Sequence, residues 1–142
     1  MKKILIINSN YYKQISENLL KMALKELKKH KFSISVINVS GVFEIPVTIS
    51  RYAKKYDAFL ALGCVIKGET PHFEFICKST FEGIVNFSLN HSKPVGNGII
   101  TCLNKKQALK RSSLNVKSLK NNKGIESAKA VISILSNVPK KL

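Results

Sequence analysis

A histidine follows a threonine and a proline in the segment GCVIKGETPHFEF, which covers residues 63–75. An imidazole titrates near neutral pH, so it can accept or give up a proton there. The preceding turn, at Glu69 and Thr70, ends an apolar run and opens a helical pattern. The free N–H groups of a first helical turn are a natural anion site. This spacing therefore favours a phosphate-like group next to an acid–base residue, His72.

Polar and aromatic side chains also follow the other apolar runs of the chain. They occur at residues 8–12, 41–44 and 101–104. Because the carboxyl ends of parallel strands meet at one edge of a sheet, these segments are expected to converge where open α/β sheets bind their ligands. Taken singly, a residue such as Tyr11 is more simply a surface aromatic. Together with His72, at successive strand ends, they indicate a site.

The elements that must position these residues alternate between strand and helix patterns. Apolar runs and period-two alternation predict strands at 3–8, 32–39, 58–66 and 93–103. Helical spacing predicts helices at 14–29, within 41–55, from 70 to about 90, at 104–112 and at 123–136, with a polar loop at 112–122. Thr70 is expected to cap the third helix, with Pro71 at its first position.

This alternation predicts one domain over residues 1–142, without repeats or a linker. Its expected fold class is α/β. Strands that alternate with helices form a parallel sheet with right-handed crossovers. The prediction is a three-layer sandwich, with a four-stranded parallel sheet and helices on both faces, in the flavodoxin-like arrangement.

The net charge of +16 comes from 24 basic and 8 acidic residues. Such a charge attracts anions and brings nucleic acid into consideration as a partner. Lysines supply 22 of the basic residues and are spread over the whole chain. The chain lacks the Arg-rich block or basic–aromatic stripe that recognition of bases or single strands favours. A lysine-rich solvated surface is the favoured interpretation, without a specific nucleic-acid partner.

The three cysteines are odd in number and widely spaced, at 64, 77 and 102. They match neither a zinc-ligand pattern nor a redox pair, which favours free thiols and no metal site. No run approaches the roughly 20 apolar residues of a membrane span. The first apolar run is better explained as a strand than as a signal peptide. The expected location is the cytoplasm.

Several segments resemble the lumazine synthase family, in that family's order and nearly its spacing. They are GVFEIP (41–46), YDAFLALGCVIKGETPHFEFI (56–76), GNGIIT (96–101), the arginine of QALKRS (107–112) and NKG (122–124). The resemblance implies the penultimate step of riboflavin biosynthesis. In that step 5-amino-6-ribitylaminouracil condenses with 3,4-dihydroxy-2-butanone 4-phosphate to 6,7-dimethyl-8-ribityllumazine. It also implies no metal and no organic cofactor.

The resemblance assigns two groups of substrate-binding residues and one catalytic residue. Those implied for the aminouracil are Tyr11 (stacking on the pyrimidine), Val42, Phe43 and Glu44 (ribityl chain), Cys64, Val65 and Ile66 (pyrimidine) and, from a neighbouring subunit, Asn97. Those implied for the butanone phosphate are Glu69 and Thr70 and, from the neighbour, Arg111 and Lys123. His72 matches the proton-transfer histidine. The implied partners are small-molecule substrates and further copies of the chain, in a pentamer whose active sites are shared.

The chain departs from the family at a few of these places. Tyr11 replaces a frequent phenylalanine, and Asn97 replaces an aromatic seen in some members. The segment between Arg111 and Lys123 is longer, by about four residues, than in members that build icosahedral shells. A ring of five is therefore expected rather than a shell, with paired rings left open. Two alternative functions also stay open: a flavin- or lumazine-binding paralogue without turnover, and a basic nucleic-acid-binding α/β module.

Overall fold

Four parallel strands form the centre of the protein. In the computed structural model, which describes residues 1–142, they are β1 (Lys2–Ser9), β2 (Phe32–Val39), β3 (Ala58–Ile66) and β4 (Val95–Cys102). They lie side by side in the order β2-β1-β3-β4. The helices are α1 (Lys13–Leu27), α2 (Ile45–Arg51), α3 (His72–His91), α4 (Lys105–Arg111) and α5 (Lys123–Ser136). Two short 3₁₀ helices lie at Val42–Glu44 and Val116–Asn121.

Helices cover both faces of this sheet, which confirms the α/β three-layer, flavodoxin-like prediction. One core joins α1, α4 and α5 to the sheet through residues that include Leu19, Leu60 and Val131. The other joins α2 and α3 to the opposite face, with Ile45 and Phe59 among its members. Neighbours in β3 therefore alternate between the two cores, and seven consecutive residues of this strand are buried.

The start of α3 differs from the prediction by one residue. The helix begins at His72, and Pro71 occupies the cap position with φ −69° and ψ 3°. The Thr70 hydroxyl still provides an acceptor at the start of this helix, because its Oγ1 accepts a 3.4 Å hydrogen bond from the His72 backbone amide. The fixed φ of proline suits either position, and here its ψ lies outside the helical range.

A second difference is in the segment predicted as a loop, 112–122. It contains the 3₁₀ helix Val116–Asn121, which ends at a fully buried Asn122. Asn122 donates from Nδ2 to the Ser113 carbonyl at 3.1 Å, and its Oδ1 accepts from the amide of Gly124. These bonds tie the segment to the start of α5.

Helix α5 approaches α1 closely at Gly124. A Cβ added to this glycine would overlap the backbone carbonyl of Leu19 in α1, which cannot move aside without shifting the helix. By contrast, an added Cβ on Gly68 would meet nothing within 4 Å.

Gly124→Ala is expected to lower the free energy of unfolding by about 1–3 kcal/mol, the usual effect of overpacking. Gly68→Ala is the matched control and should change it by less than about 0.5 kcal/mol, as an exposed substitution without contacts does. Urea unfolding followed by circular dichroism measures both. Equal midpoints for the two variants would contradict the close packing of α5 on α1.

Candidate active site

A cavity of ≈ 290 Å³ lies at the carboxyl ends of β1 and β3. The turn after β2 and the start of α3 close its other sides. Its lining residues are Ser9, Tyr11, Tyr12, Gly41, Val42, Phe43, Cys64, Val65, Ile66, His72 and Ile76. The structure therefore brings His72 together with most of the residues predicted to contact the aminouracil.

The cavity has a buried apolar floor and an exposed aromatic rim. Val42 and Cys64 are each 6% exposed, whereas Tyr11 is 73% and Phe43 58% exposed. The rings of Tyr11 and Tyr12 form a T-shaped pair with centroids 5.0 Å apart, and most of the Tyr11 side chain stays exposed. Exposed rings above an apolar wall are suited to stacking on a planar heterocycle.

His72 lines this cavity as the first residue of α3. Its side chain is exposed, so the imidazole can reach a molecule bound there. Glu69 and Thr70 precede it in an exposed turn. The turn is also braced by a Lys67 Nζ–Glu74 Oε1 contact of 3.5 Å. The arrangement places a group able to transfer protons next to the free end of a twenty-residue helix.

Glu44 lies just outside this cavity. It ends the 3₁₀ helix Val42–Glu44 and is exposed, in an adjoining hollow lined also by Phe43 and Val47. Its carboxylate stays close to Gly41, since a Cβ on that glycine would lie 2.9 Å from Glu44 Oε2. The carboxylate can thus accept hydrogen bonds from a polyol that extends from the first cavity into this hollow.

The thiol and the inner phenol of the cavity are held neutral. Burial raises the pKa of Cys64 to about 12, with a further contribution from the neighbouring Cys102. Burial also raises the pKa of Tyr12, and Cys64 adds to the effect. Because the neutral form of each group persists well above neutral pH, Cys64 contributes an uncharged wall and not a nucleophile.

Arg111 and Lys123 line a different cavity, of ≈ 200 Å³. Arg111 ends α4 and donates from Nη1 to the Gln107 carbonyl at 3.3 Å. Lys123 begins α5 and pairs with Glu126 Oε1 at 2.9 Å. This cavity shares no lining residue with the cavity of His72. Within one chain, Arg111 and Lys123 therefore line a cavity other than that of His72, the residue that Glu69 and Thr70 precede.

Asn97 is separate as well. It lies on β4, at the edge of the sheet, where it is exposed. Its Oδ1 accepts a 3.1 Å hydrogen bond from the Ile99 amide. It lines neither of the two cavities. Within a single chain, Asn97, Arg111 and Lys123 do not join His72.

The predicted site residues omit four that line the first cavity: Ser9, Tyr12, Gly41 and Ile76. The first three lie in the segments 8–12 and 41–44, which the sequence placed at this edge of the sheet without giving these residues a role. Ile76 lies one helical turn after His72, so helical spacing could have identified it. Ser9 is 2% exposed and its hydroxyl has no hydrogen-bond partner within the chain. A buried hydroxyl without a partner costs about 1–3 kcal/mol, which a polar atom of a ligand could offset.

The sequence model of the 6,7-dimethyl-8-ribityllumazine synthase family matches residues 1–138. The chain belongs to this family. Three relatives named 6,7-dimethyl-8-ribityllumazine synthase illustrate the similarity. The protein from an Arthrobacter species is 39% identical over 132 residues, covering 92% of this chain and 81% of the relative. Those from Desulfovibrio desulfuricans and Mycobacterium leprae are 36% and 37% identical, covering 94% and 90% of this chain and 86% and 79% of the relatives.

Membership of the lumazine synthase family confirms the resemblance and makes the chain an enzyme, a transferase. Family membership does not favour either alternative function, the nucleic-acid-binding module or the paralogue without turnover. None of the helices combines the length and the apolar character that crossing a membrane requires.

The raised pKa of Cys64 predicts that its thiol resists alkylation in the native protein. At pH 8 a thiol with a pKa of about 12 is ionised in only about one molecule in ten thousand, and the thiolate is the reactive form. Peptide mass spectrometry after iodoacetamide treatment measures the modification. Native Cys64 should remain unmodified while the urea-unfolded chain reacts fully. Equal rates in the two states would contradict a buried, neutral thiol.

Proposed function

We propose that this chain catalyses the condensation of 5-amino-6-ribitylaminouracil with 3,4-dihydroxy-2-butanone 4-phosphate to 6,7-dimethyl-8-ribityllumazine. The observation that carries the proposal is the cavity at the ends of β1 and β3. It combines an aromatic rim, an uncharged apolar floor and one exposed histidine, in a chain of the lumazine synthase family.

The aminouracil occupies this cavity in the proposal. Its planar ring stacks on Tyr11 and lies against the strand end at Val65 and Ile66. Its ribityl chain extends along the 3₁₀ helix Val42–Glu44. The first N–H groups of that helix have no intrahelical acceptor, so they can donate to ribityl hydroxyls while the Glu44 carboxylate accepts from others. The unpaired Ser9 hydroxyl supports a polar partner at the cavity floor.

The chemistry follows from the two reactants. The amine of the aminouracil attacks the ketone, and loss of water gives an imine. Loss of a proton from the adjacent carbon, with cleavage of the bond between the terminal carbon and the phosphate oxygen, releases phosphate and leaves an enol. The enol takes up a proton on its terminal carbon to become a methyl ketone, and attack of the ribitylamino nitrogen on that ketone closes the ring and releases a second water. His72 moves protons in these steps, and much of the acceleration comes from positioning, which contributes up to about 7–11 kcal/mol in well-oriented reactions.

The phosphate of the second substrate is held by Glu69 and Thr70 of one chain and by Arg111 and Lys123 of a neighbouring chain. Asn97 of the neighbour faces the aminouracil. Within one chain Arg111 and Lys123 line a cavity other than that of His72, and Asn97 lines neither, which supports a shared site. Such a contact is heterologous and closes into a ring when the rotation between neighbouring chains allows, and the ring here has five members.

The expected location of the protein is the cytoplasm, where its three free thiols suit a reducing environment.

Mixing the two substrates with purified protein tests the proposed reaction directly. The fluorescence of the lumazine product should increase in proportion to the protein concentration. The same mixture without protein is the control, because the reactants condense slowly unaided. A rate no higher than in the control would overturn the proposal and favour a binding protein without turnover.

His72→Ala is expected to slow turnover by about 10²-fold, at the low end of general acid–base contributions, because the imine can form without it. The fold should persist, since the side chain is exposed. His30→Ala removes another exposed histidine, in the turn between α1 and β2, and should leave turnover unchanged. Single-turnover rates across the pH range measure the effect. Rates for His72→Ala that equal those of the unchanged protein would remove His72 from the mechanism.

Arg111→Lys is expected to raise the KM for the butanone phosphate by about tenfold and the KM for the aminouracil far less. A lysine keeps the charge but loses the bidentate grip of a guanidinium on phosphate oxygens. Arg51→Lys, at the exposed end of α2, changes the only other arginine and is the matched control. Equal effects of Arg111→Lys on both substrates would place this arginine away from the phosphate.

The assembly is expected to be a ring of five and not an icosahedral shell. The segment 112–122 adds bulk and two lysines. Like charges brought together across a contact between rings oppose packing. At +16 per chain, a shell would also accumulate strong self-repulsion. Light scattering at physiological salt measures the mass, and a megadalton particle would contradict the expectation.

A further inference from the structure

The cavity of Arg111 and Lys123 holds more positive charge than these two residues supply. Lys110 and Lys120 also line it, together with Asn121 and Glu126. Four cations therefore face one carboxylate in a space of ≈ 200 Å³. That carboxylate already pairs with Lys123. No second acidic side chain lines the cavity to pair with the remaining three cations.

Helix dipoles do not explain the whole of this cluster. Lys110 and Arg111 lie in the last turn of α4, where the negative end of the dipole favours cations. Lys123 is the first residue of α5, where the positive end of a fourteen-residue helix disfavours a cation. Lys120 precedes it, in the last turn of the 3₁₀ helix Val116–Asn121. Lys123 has Glu126 as a partner, but Lys120 has no ion pair. A bound anion would offset both the dipole and the mutual repulsion.

Lys120 is held in this place by an ordered turn. It belongs to the 3₁₀ helix Val116–Asn121, which begins at a side-chain cap, the Asn115 Oδ1 that accepts from the Lys117 amide at 3.0 Å. The helix ends at the buried Asn122, whose amide donates to the Leu119 carbonyl at 3.0 Å. The backbone of Lys120 is thus fixed on both sides, while its side chain is free to turn toward a ligand.

We propose that Lys120 is a third phosphate-binding cation of the active site, brought there by the extended segment 112–122. Its ammonium group donates hydrogen bonds to the phosphate oxygens beside Arg111 and Lys123. The ligand class is a phosphate monoester dianion or inorganic phosphate. The identification of the organic substrate rests on the proposed function, whereas the anion site rests on this cavity alone.

Titration calorimetry with inorganic phosphate at fixed ionic strength tests the site without any turnover. Lys120→Gln is expected to weaken phosphate binding about five- to tenfold. This is the effect of losing one charge-assisted hydrogen bond whose strength is reduced by its exposure to solvent. Lys120→Arg should restore most of the affinity. Lys117→Gln removes the same charge from the same 3₁₀ helix, at a residue that does not line the cavity, and should leave binding unchanged. Steady-state kinetics should show a matching rise in the KM for the butanone phosphate with kcat retained.

The outcomes separate this proposal from the proposed function. If the unchanged protein makes the lumazine and binds phosphate, but Lys120→Gln binds phosphate equally well, the role of Lys120 is overturned and the function stands. Equal weakening by Lys117→Gln would attribute the effect to overall charge and would also overturn it. If phosphate binding depends on Lys120 but no lumazine forms, the anion site stands and the function fails. A protein that does not bind phosphate at all would overturn the site.

Discussion

Burial of β3 on both faces is the constraint on which the rest of the structure depends. Alternate residues such as Phe59 and Leu60 enter opposite cores, so a shift of one residue would exchange the two sets and leave both cores mismatched. Burial of each large apolar side chain contributes roughly 1.5–3 kcal/mol, which makes such a shift costly. The register of β3 therefore fixes where Cys64 to His72 leave the sheet, and with them the floor and the acid–base side of the cavity.

The second fixed point is α5, which lies unusually close to its neighbours. Added Cβ atoms at Gly96 and Gly98 of β4 would meet Ser127 of α5, in the same way that Gly124 meets α1. Helix α5 can pack this closely against α1 and β4 only because these three positions are glycines and carry no side chain. Its first residue, Lys123, is thereby placed next to the end of α4. The basic cavity is thus a consequence of helix packing, at a place that the strand-end cavity of the same chain does not reach.

The sequence predicted the architecture because buried parallel strands leave long apolar runs, and α1 and α5 carry clear helical spacing. It did not predict the local backbone structure at places where tertiary contacts determine that structure. Proline fits both possible positions at the start of α3, and the 3₁₀ helix at 116–121 depends on the burial of Asn122, which a polar segment does not reveal. Strand-end positions alone pointed to His72. Arg111 and Lys123 came only from the family resemblance, since two cations on different helices leave no periodic pattern, and an isolated serine such as Ser9 leaves none either.

We propose that one active site joins His72 of one chain to Arg111 of the next. Mixed assemblies of His72→Ala and Arg111→Ala chains, unfolded together and refolded, test it most directly. Each variant carries one intact half, so with equal amounts and random assembly about one quarter of the sites would combine two intact halves across a ring contact. Lumazine formation by the mixture should therefore exceed the mean of the two separately refolded variants. A mixture no more active than that mean would contradict a shared site and place both residues in the same chain's active site.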